Sequence, residues 1–287
     1  MIGSLAQRAG RPAHDGNPRR PAHRLWAAFV TLGVSALIVL VGTGGCTFNV
    51  EEETETVTWL RELPGAARVV IDDEAFNESD ISVEGADGDS LMLSCMLRRL
   101  VAAGDEGIDN LELRAARDND TILLSLLTKG DDWILYELDK VEMRLARGLD
   151  LDVALVEGAL DVSDFDGFVT ASVSEGSVDI DTRQGCDVVV EAGDVAVRLV
   201  AAEDDPGLDS MFEKIDIEVS EGDVAIRVPP ELRARLTLSA TNGSISVLGE
   251  GVSGAEFEGT LNGGHPQRRI RCRVERGNVT LAHTQAF

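Results

Sequence analysis

One frame of alternating apolar residues around a glycine is written six times between residues 151 and 281, and it limits the fold more than any other feature of the chain. Around Gly158, Leu151, Val153 and Leu155 lie seven, five and three residues before the glycine, and Leu160 and Val162 lie two and four after it. Gly176 repeats this with Val169, Ala171, Val173, Val178 and Ile180, and Gly193 with Cys186, Val188, Val190, Val195 and Val197. Gly222 has Ile215, Ile217, Val219, Val224 and Ile226; Gly243 has Leu236, Leu238, Ala240, Ile245 and Val247; Gly277 has Ile270, Cys272, Val274, Val279 and Leu281. A period of two is strand periodicity, and it puts all five apolar positions of a copy on one face. Each glycine falls where the chain turns a corner, at a place where a Cβ would collide or φ must be positive. The residue after it is often small or polar (Ser177, Asp194, Asp223, Ser244, Asn278), as tight turns require. Spacings of 18, 17, 29, 21 and 34 residues between these glycines are too irregular for identical rungs. They predict an all-β fold, a β-solenoid or stacked-strand repeat domain with variable loops, in which each rung covers the next. If consecutive copies are neighbours, Asp181 and Arg198, each five residues after its glycine, form a cross-strand pair.

The repeat domain is assigned to residues 141–287, and residues 61–140 read as an N-terminal β cap. Ala67–Asp72 and Ile81–Val83 have strand patterns, and Leu111-Glu112-Leu113 to Ile122-Leu123-Leu124 around Asp118-Asn119-Asp120 reads as a hairpin. Segment 90–102 is ambiguous: Leu93, Leu97, Leu100 and Val101 suit a helix, whereas Leu91, Leu93, Cys95 and Leu97 alternate. Trp133 and Tyr136 are expected to close the end of the core, because a solenoid needs a cap. Residues 46–60 are polar and acidic without an apolar period, and read as a solvated tether.

Segment 25–45, LWAAFVTLGVSALIVLVGTGG, carries no charge and follows Arg19, Arg20, His23 and Arg24, the layout of a signal peptide. An apolar run of this length could instead remain uncleaved and span a bilayer as an anchor helix. Thr43-Gly44-Gly45-Cys46 resembles the bacterial lipobox, in which small residues precede a cysteine that is lipidated and becomes the new N-terminus. Thr43 stands where such sequences usually have Leu. The resemblance implies a lipoprotein carrying palmitate-labelled lipid at Cys46; an uncleaved anchor and a plain secreted or soluble chain are the alternatives. Either anchored form places the remainder outside the cytoplasm, by the bias of the Arg-rich leader. Thr47 is not the Asp that commonly retains lipoproteins at the inner membrane, so the outer membrane or periplasmic face is favoured. The net charge of −25 divides unevenly. Residues 1–45 have five Arg and one Asp, so residues 46–287 hold 21 basic and 50 acidic side chains, for −29. Nucleic acid would be repelled by such a body and is not an expected partner.

Beyond Cys46, Cys95, Cys186 and Cys272 are an odd number for an oxidising compartment, and they read as small buried hydrophobes on strands. Cys186 and Cys272 both point inward but at different offsets from their glycines, so a bridge between them is possible and not favoured. No C-x-x-C occurs, and His265 and His283 are badly spaced for zinc. Gly249-Glu250-Gly251-Val252-Ser253-Gly254 matches G-x-G-x-x-G, but a short acidic stretch follows where a dinucleotide site needs a helix. Asp150, Asp152, Asp161, Asp164, Asp166, Asp179 and Asp181 are the remaining source of chemistry. A pair of them could cleave a glycan or hold calcium, although alternation makes them outward, solvated strand positions. No cofactor and no metal are expected.

The stretches SEGSVDI (174–180), EAGDVAV (191–197), SEGDVAI (220–226), TNGSISV (241–247) and ERGNVTL (275–281) resemble the repeated segments of the bacterial putative-adhesin families of β-strand repeats, called toastrack-like. Val228-Pro229-Pro230-Glu231 looks like the segment that opens a new strand in that family, and Gly259–Gly264 like its closing glycine segment. The resemblance covers residues 66–283 and implies architecture and an envelope location, since the family has no agreed biochemical activity. It points to a non-enzymatic envelope lipoprotein, held to the membrane by its N-terminal lipid or anchor helix. Its repeat would bind or scaffold an envelope protein or glycan at the cell surface or in the periplasm. The rivals are a glycan-active β-helix enzyme using the Asp150–Asp181 carboxylates and an accessory protein in envelope-stress signalling.

Overall fold

A computed structural model describes residues 52–284, apart from residues 73, 101–110, 129–135, 202–204, 207, 209–210 and 266. The leader and Cys46 lie outside the described residues, as do Trp133 and the side chain of Tyr136. In chain order, β1 (Glu52–Glu62) is followed by β2 (Arg68–Ile71), a 3-10 turn at Glu74–Phe76, β3 (Asp80–Ala86) and β4 (Ser90–Leu100). A hairpin of β5 (Leu111–Asp118) and β6 (Thr121–Thr128) precedes β7 (Tyr136–Ala146). The glycine frame then supplies β8 (Asp150–Glu157), β9 (Leu160–Phe165), β10 (Val169–Glu175), β11 (Val178–Thr182), β12 (Gly185–Ala192) and β13 (Val195–Leu199). It continues as β14 (Lys214–Glu221), β15 (Val224–Val228), β16 (Ala234–Asn242) and β17 (Ile245–Val247). After β18 (Glu250–Val252) and β19 (Glu256–Leu261), the chain ends on β20 (Arg269–Arg276) and β21 (Val279–His283).

These strands form a ten-stranded and an eleven-stranded sheet over one shared core. Each rung gives one strand to the first sheet and the next to the second, and rungs stack in parallel register, with Val169 of β10 between Leu151 and Cys186. Every apolar residue of the six frames is buried except Val247, which is half-buried. Each fully buried Val, Leu or Ile contributes about 1.5–3 kcal/mol relative to exposure, so this inward face is what makes the prism stable.

Chain order and stack order coincide only in the middle. The rungs run β6/β7, β2/β3, β8/β9, β10/β11, β12/β13, β14/β15, β20/β21, β16/β17, so the second rung in sequence lies outside the first, and the last lies inside the one before it. Consecutive copies are therefore neighbours from Gly158 to Gly222 and again at Gly243 and Gly277, but the Gly222 and Gly243 copies are separated by the Gly277 rung. Antiparallel strands cover the rungs exposed by this arrangement: β4 and β1 on β7, β5 on β6, β19 on β16 and β18 on β17. Such end strands blunt the open edges of a parallel stack.

Two segments differ from their sequence reading or resolve it. Residues 52–60, taken as tether, belong to the edge strand β1, which pairs with β4 from Glu52 opposite Leu100 to Glu62 opposite Ser90. An edge strand is held by backbone hydrogen bonds and needs little apolar period; here Val57 and Trp59 pack against the core from its middle. Segment 90–102 is strand through Leu100, because Leu91, Leu93 and Cys95 alternate into the core.

Candidate binding surfaces

The corners of the prism are made by a column of backbone contacts. Gly158, Gly176, Gly193, Gly222 and Gly277 hold φ between 129° and 150°, while Gly243 does not take a positive φ. A Cβ on Gly176 would strike the carbonyl of Gly158, one on Gly193 that of Gly176, one on Gly222 that of Gly193, one on Gly277 that of Gly222 and one on Gly243 that of Gly277. The column starts at Ser79, whose carbonyl occupies the same place beside Gly158. Beside it, the turn residues tie rung to rung through side chains. The Ala159 N–H donates to Asp80 Oδ1 (2.8 Å), and the Asp223 N–H to Asp194 Oδ1 (2.8 Å). Asn278 donates its N–H (2.8 Å) and Nδ2 (3.0 Å) to Asp223 Oδ1, and its own Oδ1 accepts from the Ser244 N–H (3.1 Å) and hydroxyl (2.7 Å).

The aspartates of 150–181 do not converge. Asp150 and Asp152 face outward from the ten-stranded sheet, where Asp150 Oδ1 accepts from the Phe168 N–H (3.0 Å) and Asp152 lies 3.9 Å from Arg68. Asp161, Asp179 and Asp181 face outward from the other sheet, with Asp161 and Asp179 in direct register. Asp181 takes both arms of the Arg198 guanidinium, one through Nε at 2.7 Å, and this hydrogen bonding raises the Arg198 pKa. Burial, and then the neighbouring Asp181 and Asp161 charges, push the Asp179 carboxyl above the ordinary carboxylate range. Asp164, the next-to-last residue of β9, takes φ 52° where the pairing with β11 shifts register, and Asp166 lies 3.5 Å from Arg183. Among the described residues no three His, Cys, Asp or Glu side chains form a group that could hold a metal ion.

Cys95, Cys186 and Cys272 are free and buried. Burial pushes the Cys95 and Cys272 thiols up to about 12 and that of Cys186 higher still, so none is a reactive thiolate at neutral pH. The G-x-G-x-x-G segment is a tight hairpin, with Leu248 at φ 53° and Gly249 at φ 85° between β17 and β18. No helix opens there.

The strongest surface feature is one that the apolar frame hid. Between residues 268 and 276 the sequence RRIRCRVER alternates Ile270, Cys272 and Val274 inward with Arg269, Arg271 and Arg273 outward. That places five of the 26 basic residues of the chain within nine positions. On β14 the facing residues are Lys214, Asp216 and Glu218, and on β16 they are Arg235, Thr237 and Ser239. Arg269 and Arg271 approach Asp216 (3.5 and 3.8 Å), Arg271 and Arg273 approach Glu218 (3.9 and 3.3 Å), and Arg276 pairs with Glu221. Lys214 turns the other way, to Asp187 (2.6 Å) and over the Phe168 ring (5.4 Å). Because Thr237 and Ser239 are short, β16 is the floor of a groove of about 180 Å³, walled by Arg271 and Arg273 on one side and Glu256 and Glu258 on the other. A larger hollow of about 650 Å³ opens at the start of these strands, with His265, Lys214, Arg268 and Arg269 on its walls. A third, of about 460 Å³, sits beside the Asp181–Arg198 pair under Pro206, Pro229 and Pro230.

Neither a family model nor a curated protein matches the sequence. The fold is similar to the solved structure of a putative cell adhesion protein from Clostridium sporogenes, at 11% identity over 81% of this chain and 100% of that chain, with a TM-score of 0.47. A putative adhesin from Bacteroides fragilis is similar at 13% identity over 80% and 97% of the two chains, with a TM-score of 0.36. One from Parabacteroides distasonis is similar at 9% identity over 82% and 98%, with a TM-score of 0.26. The likeness is one of β-repeat architecture and brings no ligand with it.

Proposed function

We propose that this chain is a non-enzymatic, lipid-anchored protein of the cell envelope whose β-solenoid binds or scaffolds an envelope glycan or protein, at the cell surface or in the periplasm. The reading rests on the outward face of the ten-stranded sheet. There, hydroxyl, carboxylate and guanidinium groups repeat in strand register on either side of the β16 groove. A flat lattice of this kind suits an extended polymer, because each repeat unit can add one weak contact and the contacts sum by effective concentration. Cys46 lies six residues before Glu52, at most about 20 Å of extended chain, so lipid at Cys46 would keep the module close to the bilayer.

Two experiments test this. Cys46→Ala should abolish metabolic palmitate labelling and release the protein from the membrane fraction; label that persists removes the lipid anchor. Residues 47–287 should co-sediment saturably with purified cell-wall glycan or envelope fragments, and Thr237→Trp, which fills the groove from an exposed position, should abolish this while leaving Tm unchanged. Equal binding by the variant would remove the groove from the site.

A further inference from the structure

We propose that the outward arginines of β20 are the address that inserts the last rung between β14/β15 and β16/β17. The inward residues cannot supply this instruction. Ile270, Cys272 and Val274 present the same alternating face as every other copy, and stack equally on Ile215, Ile217 and Val219 or on Leu236, Leu238 and Ala240. Without another signal the rungs could stack in chain order, with β16 on β14 and β20 outermost. In that order Asp216, Glu218 and Glu221 would lie opposite Thr237, Ser239 and Asn242, and the carboxylates would lose their counter-charges. In the observed order Arg271, Arg273 and Arg276 lie opposite those three acids, and the uncharged side of β16 takes the far flank of Arg271 and Arg273; Arg269, between Lys214 and Arg235, does not discriminate, since Lys214 would face Arg235 in the chain-order stack. Opposite charges in register favour a strand pair and like charges disfavour it, so the outward pattern discriminates where the inward one does not.

The other sheet carries a second, independent part of the same address. Asn278 accepts from Ser244 and donates twice to Asp223, so it bridges the rungs on both sides of it. As the outermost residue of a chain-order stack it would have one neighbour instead of two. Asn262, Gly263 and Gly264, at φ 47°, 81° and 74°, make the reversal that carries the chain from β19 back to β20.

Charge reversal with a cross-linking readout of rung order tests the proposal. Ala225 and Thr280 are register partners on the outward faces of β15 and β21, so Ala225→Cys with Thr280→Cys should cross-link under mild oxidation. Ala225→Cys with Ser246→Cys reports the chain-order stack instead. In the Arg273→Glu/Arg276→Glu background the first cross-link should fall several-fold, the segment 262–284 should become protease-sensitive and Tm should drop. Adding Glu218→Arg/Glu221→Arg should restore all three. An unchanged cross-link and Tm in the reversed variant overturns the proposal. A reversed variant that fails to fold and is not rescued by the compensating pair overturns it too, since charge matching would then not be what the arginines provide.

Discussion

The middle of the solenoid and its C-terminal end are built from the same frame and obey different rules. From Gly158 to Gly222 each copy lies on the one before it, and the glycine column and apolar core are continuous. Past Gly222 the chain runs outward through β16 to β19 and returns to fill the gap it left. In the middle, side-chain links such as Asp194 to the Asp223 N–H and Asp181 to Arg198 join only copies that sequence order already makes neighbours, and Ser177 makes no side-chain hydrogen bond among the described residues. At the end, polar side chains of Asp223, Asn278, Glu218 and Arg273 link neighbours that sequence order does not supply. Repetition of an apolar pattern stabilises a stack without ordering it; the polar exterior supplies the order.

This difference can be broken at its strongest point first. Gly193→Ala places a Cβ against the Gly176 carbonyl at φ 150°, and should cost about 3 kcal/mol or more by chemical denaturation. Gly251→Ala in the end hairpin, where a Cβ meets nothing within 4 Å, should change stability by less than about 0.5 kcal/mol. Next, Asn278→Ala removes the bridge between Asp223 and Ser244 and should cost about 1–2 kcal/mol, against little for Ser177→Ala. Equal losses at these two positions would erase the distinction between middle and end.

The smallest effect belongs to the acidic outer face of the middle. Because the folded state raises the Asp179 carboxyl above its unfolded value, the ionised form is disfavoured in the fold, and its charge weakens the protein at pH above that carboxyl's titration. Asp179→Asn should therefore raise Tm slightly at pH 7, and the gain should fade as pH falls through the carboxylate range, where the wild-type side chain takes up its proton. A gain that grows on acidification would show the opposite sign and reject the assigned crowding by Asp181 and Asp161.

The all-β class, the inward phase of each strand and the Asp181–Arg198 pair were legible from a period of two around glycine, since that period is set by the pleat itself. The hairpin around Asn119, at φ 59°, was legible from its turn residues. The strand at 52–62 was not, because an edge strand depends on a distant partner, here β4, rather than on its own pattern. The strands β2 and β3 were legible from Ala67–Asp72 and Ile81–Val83, but not that they form a rung of the same stack, because Ser79 stands at the glycine position. The arginine face was written plainly in RRIRCRVER, but its meaning depends on which acids stand beside it.

By itself, then, the sequence determined which side of every repeat strand faces the core, because alternation is a local property of the backbone. Only the tertiary structure decided which rung lies on which, where the aspartates of 150–181 divide between two outward faces, and where the arginines of β20 find their acids. Those are relations between distant segments whose apolar faces are interchangeable, and they are settled by hydrogen bonds, charges and end strands that exist only once the stack has formed.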